Sequence, residues 1–164
     1  MIKEGDTIPN VTWSKYAKMN AAPAQFGVER KWRKVNSHEL FKDKRVLLFG
    51  VPWVLSPESN FQLRFFEGHY NSIYMRDIQG IYGIAVQDSY AMQSWADAAL
   101  AIKCDWIPDC KAEFTEKIGM LTDFSGLGLN NRSWFYTMII NNNVVEKLFV
   151  KPIKQFTINT FEED

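Results

Sequence analysis

The run Arg45-Val46-Leu47-Leu48-Phe49-Gly50-Val51, closed by Pro52, decides the fold. It is short and continuously apolar, without the alternation of a half-exposed strand, which is the pattern of a strand buried on both faces of a parallel sheet. Downstream, Ile81-Tyr82-Gly83-Ile84-Ala85-Val86 repeats that pattern, and Cys104-Asp105-Trp106-Ile107 gives a third strand stopped by Pro108-Asp109. The segments between them read as helices. Residues 59–75 carry Phe61, Phe65, Phe66, Tyr70 and Ile73 at mostly helical spacings. Asp88 or Ser89 can cap a second helix, in which Met92, Trp95, Ala96 and Ala99 fall at i, i+3, i+4 and i+7. Residues 111–118 read as a third, closed by Gly119. This β-α-β-α-β-α order is followed by two strands, residues 136–140 and 144–150, about Asn141-Asn142-Asn143, residues that tolerate the positive φ of a tight hairpin. The expectation is an α/β domain with a central mixed sheet flanked by helices and right-handed crossovers. Upstream, residues 21–34 contain Pro23 and Gly27 with no stable periodicity, the composition of a long surface loop.

The chain has 164 residues, 46% hydrophobic and 23% charged, which fits one domain over residues 1–164 with an ordinary apolar core. Lysine plus arginine, 19, equals aspartate plus glutamate, 19. Without a net positive field, generic binding to nucleic acid or to an anionic membrane loses its main driving force. Glu29-Arg30-Lys31-Trp32-Arg33-Lys34 interleaves a tryptophan with basic residues, but the run is short and reads as a solvated loop anchored by Trp32. No stretch approaches 18 apolar residues, and the charges in Met1-Ile2-Lys3-Glu4-Gly5-Asp6 leave no signal-peptide core, so a soluble cytoplasmic protein with reduced thiols is expected. Cys104 and Cys110 are too few for a disulfide scaffold, and with only His38 and His69 beside them they form no metal set. No metal or cofactor is expected, both histidines read as surface or helix-face residues, and Cys104 reads as a buried strand residue.

Several phrases in order resemble the peroxiredoxins, specifically the type-5 subgroup of the redoxins, which have a thioredoxin-like fold. They are Gly5-Asp6-Thr7-Ile8-Pro9-Asn10-Val11-Thr12, Leu40-Phe41-Lys42-Asp43-Lys44 running into the first strand, Val86-Gln87-Asp88-Ser89-Tyr90-Ala91-Met92, Ile107-Pro108-Asp109, Glu113-Phe114-Thr115 and Arg132-Ser133-Trp134. Each is weak alone; their collinearity carries the resemblance.

The resemblance implies a peroxidase centre at the first turn of the helix after residues 45–51. There a cysteine thiolate attacks a peroxide oxygen and becomes a sulfenic acid, helped by the helix N-terminus, a Thr or Ser hydroxyl three residues earlier and an arginine from a later strand. The corresponding run is Pro52-Trp53-Val54-Leu55-Ser56-Pro57-Glu58-Ser59. Pro52 and Ser56 fit, but the nucleophile position holds Ser59, or Glu58 if the register shifts by one, and neither is a cysteine. The arginine phrase reads Arg132-Ser133-Trp134-Phe135-Tyr136, which puts Phe135 at the arginine's place. A serine hydroxyl is not ionised near neutral pH and forms no sulfenic acid. A serine alone would also fit an engineered knockout, whereas the second loss, at Phe135, points to natural loss of activity.

The expectation is therefore an inactive homologue with a binding or structural role, whose vestigial positions are Pro52, Ser56, Ser59 and Phe135. The family likeness implies a homodimer, and the aromatic residues around 53–66 suggest a dimer face, a protein partner or a small apolar ligand. The alternative is displaced chemistry: Cys110 follows Pro108-Asp109 where a helix is expected to begin, on the sheet edge that also carries Ser59, and could act as a thiol peroxidase or in disulfide exchange.

Overall fold

The computed structural model describes residues 1–18 and 30–151. The elements in chain order are β1 (Thr12–Lys18), β2 (Arg30–Asn36), α1 (Ser37–Phe41), β3 (Arg45–Gly50), α2 (Pro57–Gly68), α3 (Tyr70–Tyr74), β4 (Ile81–Ala85), α4 (Ser89–Ala98), β5 (Asp105–Pro108), α5 (Glu113–Lys117), β6 (Leu121–Asp123), a short 3-10 turn (Ser125–Leu127), β7 (Asn131–Ser133), β8 (Tyr136–Asn141) and β9 (Val144–Val150). The central sheet has the order β5-β4-β3-β8-β9. β3, β4 and β5 run parallel, and β8 and β9 add antiparallel. This is the thioredoxin-like α/β fold with a central mixed sheet.

The apolar run over residues 45–51 is buried on both sides. Val46 and Leu48 join a cluster with Phe41, Ile84, Phe114, Ile118 and Met138 on one face. Leu47, Phe49 and Val51 join Leu63 of α2 and Met92 and Trp95 of α4 on the other. Alternate residues of a strand face opposite ways, so only a run apolar at every position satisfies both clusters. Gly83 lets the Trp95 ring lie on the sheet, since a Cβ there would come within 2.8 Å of that ring. Asp88 caps α4 by accepting from Ala91 N at 2.9 Å, and Gly119 follows α5 with φ +77°. The hairpin turns at Asn142 and Asn143, both with positive φ.

Several boundaries differ from the sequence expectation. Cys104, expected in the third strand, lies in the bend before β5, which begins at Asp105 because Cys104 N is held by the Glu67 carboxylate. Residues 30–34, expected as part of a solvated loop, lie in β2, which pairs with β1 from Thr12↔Asn36 to Lys18↔Arg30; residues 21–29 of that expectation lie outside the described residues. The helix expected over 59–75 starts earlier, at Pro57, and divides at His69, whose ring nitrogen Nδ1 bonds Phe65 O at 2.8 Å and whose ring stacks on Phe65. Pro108 is the last residue of β5, which stops at Pro108-Asp109 as expected; as an edge strand β5 tolerates the missing N–H. The third helix begins at Glu113, not at 111, since the Asp109 carboxylate has already taken the N–H groups of Phe114 and Thr115.

Candidate functional site

β3 delivers the chain to the carboxyl edge of the sheet, where Val51 N bonds Ile84 O at 3.1 Å and Pro52 is buried. The chain then bends, with Leu55 at φ 66°, an unfavourable backbone for a leucine, and enters α2. Ser56 is the N-cap and Pro57 occupies the first helical position. Ser56 Oγ accepts from Ser59 N at 3.2 Å and donates to Ser59 Oγ at 2.9 Å. Ser59 Oγ in turn donates to Trp53 O at 2.6 Å. Ser59 is fully buried, whereas Glu58 faces outward and forms an ion pair with Lys151. Of the two registers the sequence left open, Ser59 is the residue inside the first turn.

A circuit of side chains closes around this turn. The Trp53 ring meets Phe124 edge-on at 5.2 Å, Phe124 stacks on Trp134 at 6.0 Å, and Trp134 meets Phe135 edge-on at 6.2 Å. Phe135 is 2% exposed, and Lys151 Nζ sits 4.6 Å from its ring centroid while pairing with Glu58, the neighbour of Ser59. Lys151 is itself fixed at the backbone: its N–H donates to Phe135 O at 3.1 Å, and its carbonyl accepts from Trp134 Nε1 at 2.6 Å. Pro52, Ser56 and Ser59 thus lie on the β3–α2 connection and the first turn of α2, and Phe135 is tied to that turn through Lys151 and Glu58. The sequence reading missed Lys151, Phe124 and Trp134; no local motif marks residues that meet only through the β8–β9 hairpin and the β6–β7 segment.

The chemistry available at this turn is limited. Ser59 Oγ has Ser56 and Trp53 as its partners, and no imidazole or carboxylate is bonded to it among the described residues, so nothing there removes its proton. The second residue of the arginine phrase, Arg132, points elsewhere, donating from Nη1 to Val86 O at 3.2 Å.

Cys110 stands apart from this constellation. It is exposed, in the turn three residues before α5, and lines a small groove of about 100 Å³ with Val11, Trp13, Lys34 and Glu113. β4 lies between the strand that ends near Cys110 and the strand that leads to Ser59. The expectation of a cysteine at the helix start is corrected: Cys110 lies in the turn, and α5 begins at Glu113. Its neighbour Asp109 is spent on structure: Oδ1 accepts from Trp13 Nε1 at 3.1 Å and Oδ2 from Thr115 Oγ1 at 2.6 Å. Cys104 is buried, and burial, with the neighbouring Glu67 carboxylate, pushes its thiol well above the ordinary cysteine range. His38 Nε2 bonds Ile8 O at 2.7 Å, a structural contact. Among the described residues no group of three His, Cys, Asp or Glu side chains is arranged to hold a metal ion, and no helix is long and apolar enough to cross a membrane.

The Redoxin family model matches residues 3–164. A peroxiredoxin of Rhizobium etli is 38% identical over 120 residues, covering 73% of this chain and 67% of that one. The hybrid peroxiredoxin hyPrx5 of Haemophilus influenzae is 34% identical over 123 residues, 74% of this chain and 51% of its own length. Among solved structures, reduced Prx3 of Vibrio vulnificus in complex with hydrogen peroxide superposes with a TM-score of 0.82 at 30% identity, covering 94% of this chain and 88% of that one.

Proposed function

Because the chain belongs to the redoxin family and is peroxiredoxin-like along its length, we propose that it is a homologue that has lost peroxidase activity and now has a binding or structural role. One observation carries the reading: the first turn of α2 is assembled around Ser59, with no sulfur, and Phe135 fills the place where the family resemblance puts an arginine. The peroxidase step needs a sulfur that attacks one peroxide oxygen while the O–O bond breaks and hydroxide leaves, and a buried serine supplies no such electron pair near neutral pH. The rings of Trp53, Phe124, Trp134 and Phe135 pack on one another, which favours a protein partner over a small apolar ligand at that spot. The partner this reading favours is a second copy of the chain. Its support is the exposed apolar side chains beside the same turn, Leu55, Phe61 and Phe65, at 49%, 68% and 47% exposure. The two free thiols fit a reducing, cytoplasmic setting.

The test exposes the reduced protein to a slight excess of hydrogen peroxide and follows intact mass over seconds. No oxygen addition is expected. Rapid addition that vanishes in Cys110→Ser would overturn the proposal in favour of displaced thiol chemistry. The double variant Ser59→Cys with Phe135→Arg is expected to acquire measurable peroxidase activity, and a folded but inactive double variant would count against assigning these positions to the family's centre.

A further inference from the structure

Lys15 and Arg33 stand directly opposite each other across the β1–β2 hairpin, between the pairs Trp13↔Val35 and Ala17↔Lys31. Like charges at a cross-strand pair repel. Lys15 is only 4% exposed and is satisfied: Nζ donates to Asp105 Oδ1 at 2.5 Å and to Trp106 O at 2.7 Å, and lies 4.2 Å from the Trp106 ring centroid. Asp105 is the one carboxylate bonded to this pair of cations among the described residues. Among the described residues the Arg33 side chain has neither hydrogen bond nor ion pair, and its Nε is buried without a partner. A buried donor left unpaired costs free energy that protein sequences ordinarily avoid.

The space beside these two cations is open. On one side a cleft of about 470 Å³ is walled by Trp13, Tyr82 and Leu40; on the other, one of about 360 Å³ is walled by Ala17 and Ala96. Lys15, Arg33, Asp105 and Trp106 line both clefts, so the cation pair sits where they meet. The larger cleft is of a size that takes a small organic molecule.

We propose that this trough binds a small aromatic oxyanion, a carboxylate or phosphate monoester, with the oxyanion on Arg33 beside Lys15 and the flat body against Trp13, Trp106 and Tyr82. Because Nε is buried, the oxyanion meets the far end of the guanidinium, where the two Nη–H groups form a parallel fork that matches two oxygens of either group. A bare inorganic anion would satisfy the fork but leave the aromatic walls uncovered. The site is independent of the Ser59 turn: the two share no residue, and its occupancy does not depend on whether the peroxidase centre is lost.

The test titrates the full chain with benzoate, phenyl phosphate and inorganic phosphate while following the Arg33 Nε–H and the Trp106 indole N–H by two-dimensional ¹⁵N NMR. A saturable shift of both signals with benzoate or phenyl phosphate is expected; which of the two binds tighter distinguishes carboxylate from phosphate recognition. Arg33→Gln is expected to weaken that binding about ten- to hundred-fold. Arg33→Lys, which keeps the charge and loses the fork, serves if the glutamine variant does not fold, and is expected to weaken binding as well. The proposal is overturned if none of the three probes gives a saturable shift, if these variants bind as tightly as the parent, or if inorganic phosphate binds as tightly as phenyl phosphate.

Discussion

The first turn of α2 and the trough beneath the β1–β2 hairpin both hold a lysine over an aromatic ring, Lys151 over Phe135 at 4.6 Å and Lys15 over Trp106 at 4.2 Å. They differ in what is left over. At the α2 turn Lys151 pairs with Glu58, Ser56 and Ser59 satisfy each other and Trp53 O, and four aromatic rings close the space. In the trough the Arg33 Nε remains without a partner among the described residues, beside an open cleft. A pocket that has become core contributes to stability; a pocket that keeps an unmatched charge costs stability until something fills it. The comparison therefore breaks most directly at Phe135. If the α2 turn is now core, Phe135→Ala should cost about 3–5 kcal/mol, read from urea unfolding. A loss below about 1 kcal/mol would mean that the rings line a cavity instead of filling one.

The next largest effect belongs to the trough. Asp105→Ala removes the carboxylate that pairs with Lys15 and should cost about 1–3 kcal/mol at pH 7, because it leaves a buried ammonium with Trp106 O but without its counter-charge. Burial holds the Lys15 pKa below its usual 10.5, with Asp105 opposing that fall and Arg33 adding to it. The folded chain thus binds the Lys15 proton less tightly than the unfolded chain, so the unfolded state carries more protons over the interval below 10.5 and stability rises with pH there. Removing Asp105 lowers the folded pKa further and makes that rise begin earlier. The deficit of the variant should be larger at pH 7 than at pH 10, and a deficit that stays constant between them would show that the pairing is not what stabilises Lys15.

The same contrast explains what was legible in the sequence. β3 and β4 could be read directly because both faces are covered, and a run such as Val46-Leu47-Leu48-Phe49 has no other economical reading. β2 could not, since its inward face presents Arg33 where a half-buried strand normally places an apolar residue, and alternation is the only signal such a strand has. At the site, Pro52, Ser56, Ser59 and Phe135 were found through the family's spacing, whereas Lys151 was not. It reaches Phe135 and Glu58 only after β9 has folded back along β8, a contact between residues 93 positions apart in the case of Glu58. Cys110 was misplaced for a local reason: Asp109 uses its carboxylate to cap Phe114 and Thr115, which moves the helix start three residues downstream of the thiol.

The smallest effect is the sharpest, because its sign is what matters. Lys151→Met removes a cation that is paired and sits on a ring, and should cost about 0.5 kcal/mol, as partly exposed ion pairs do. Arg33→Met, the same kind of change in the trough, removes an orphaned buried donor and the repulsion against Lys15, while the methionine stem still covers part of the aromatic wall. Relief of that desolvation cost should make the variant more stable by about 0.5–1 kcal/mol in the absence of any anion. Saturating benzoate or phenyl phosphate, whichever the parent binds, should raise the parent's Tm and leave that of Arg33→Met unchanged, since a ligand stabilises only the form that binds it. A loss of stability in Arg33→Met equal to that in Lys151→Met would place Arg33 among the structural cations and erase the distinction between the two regions.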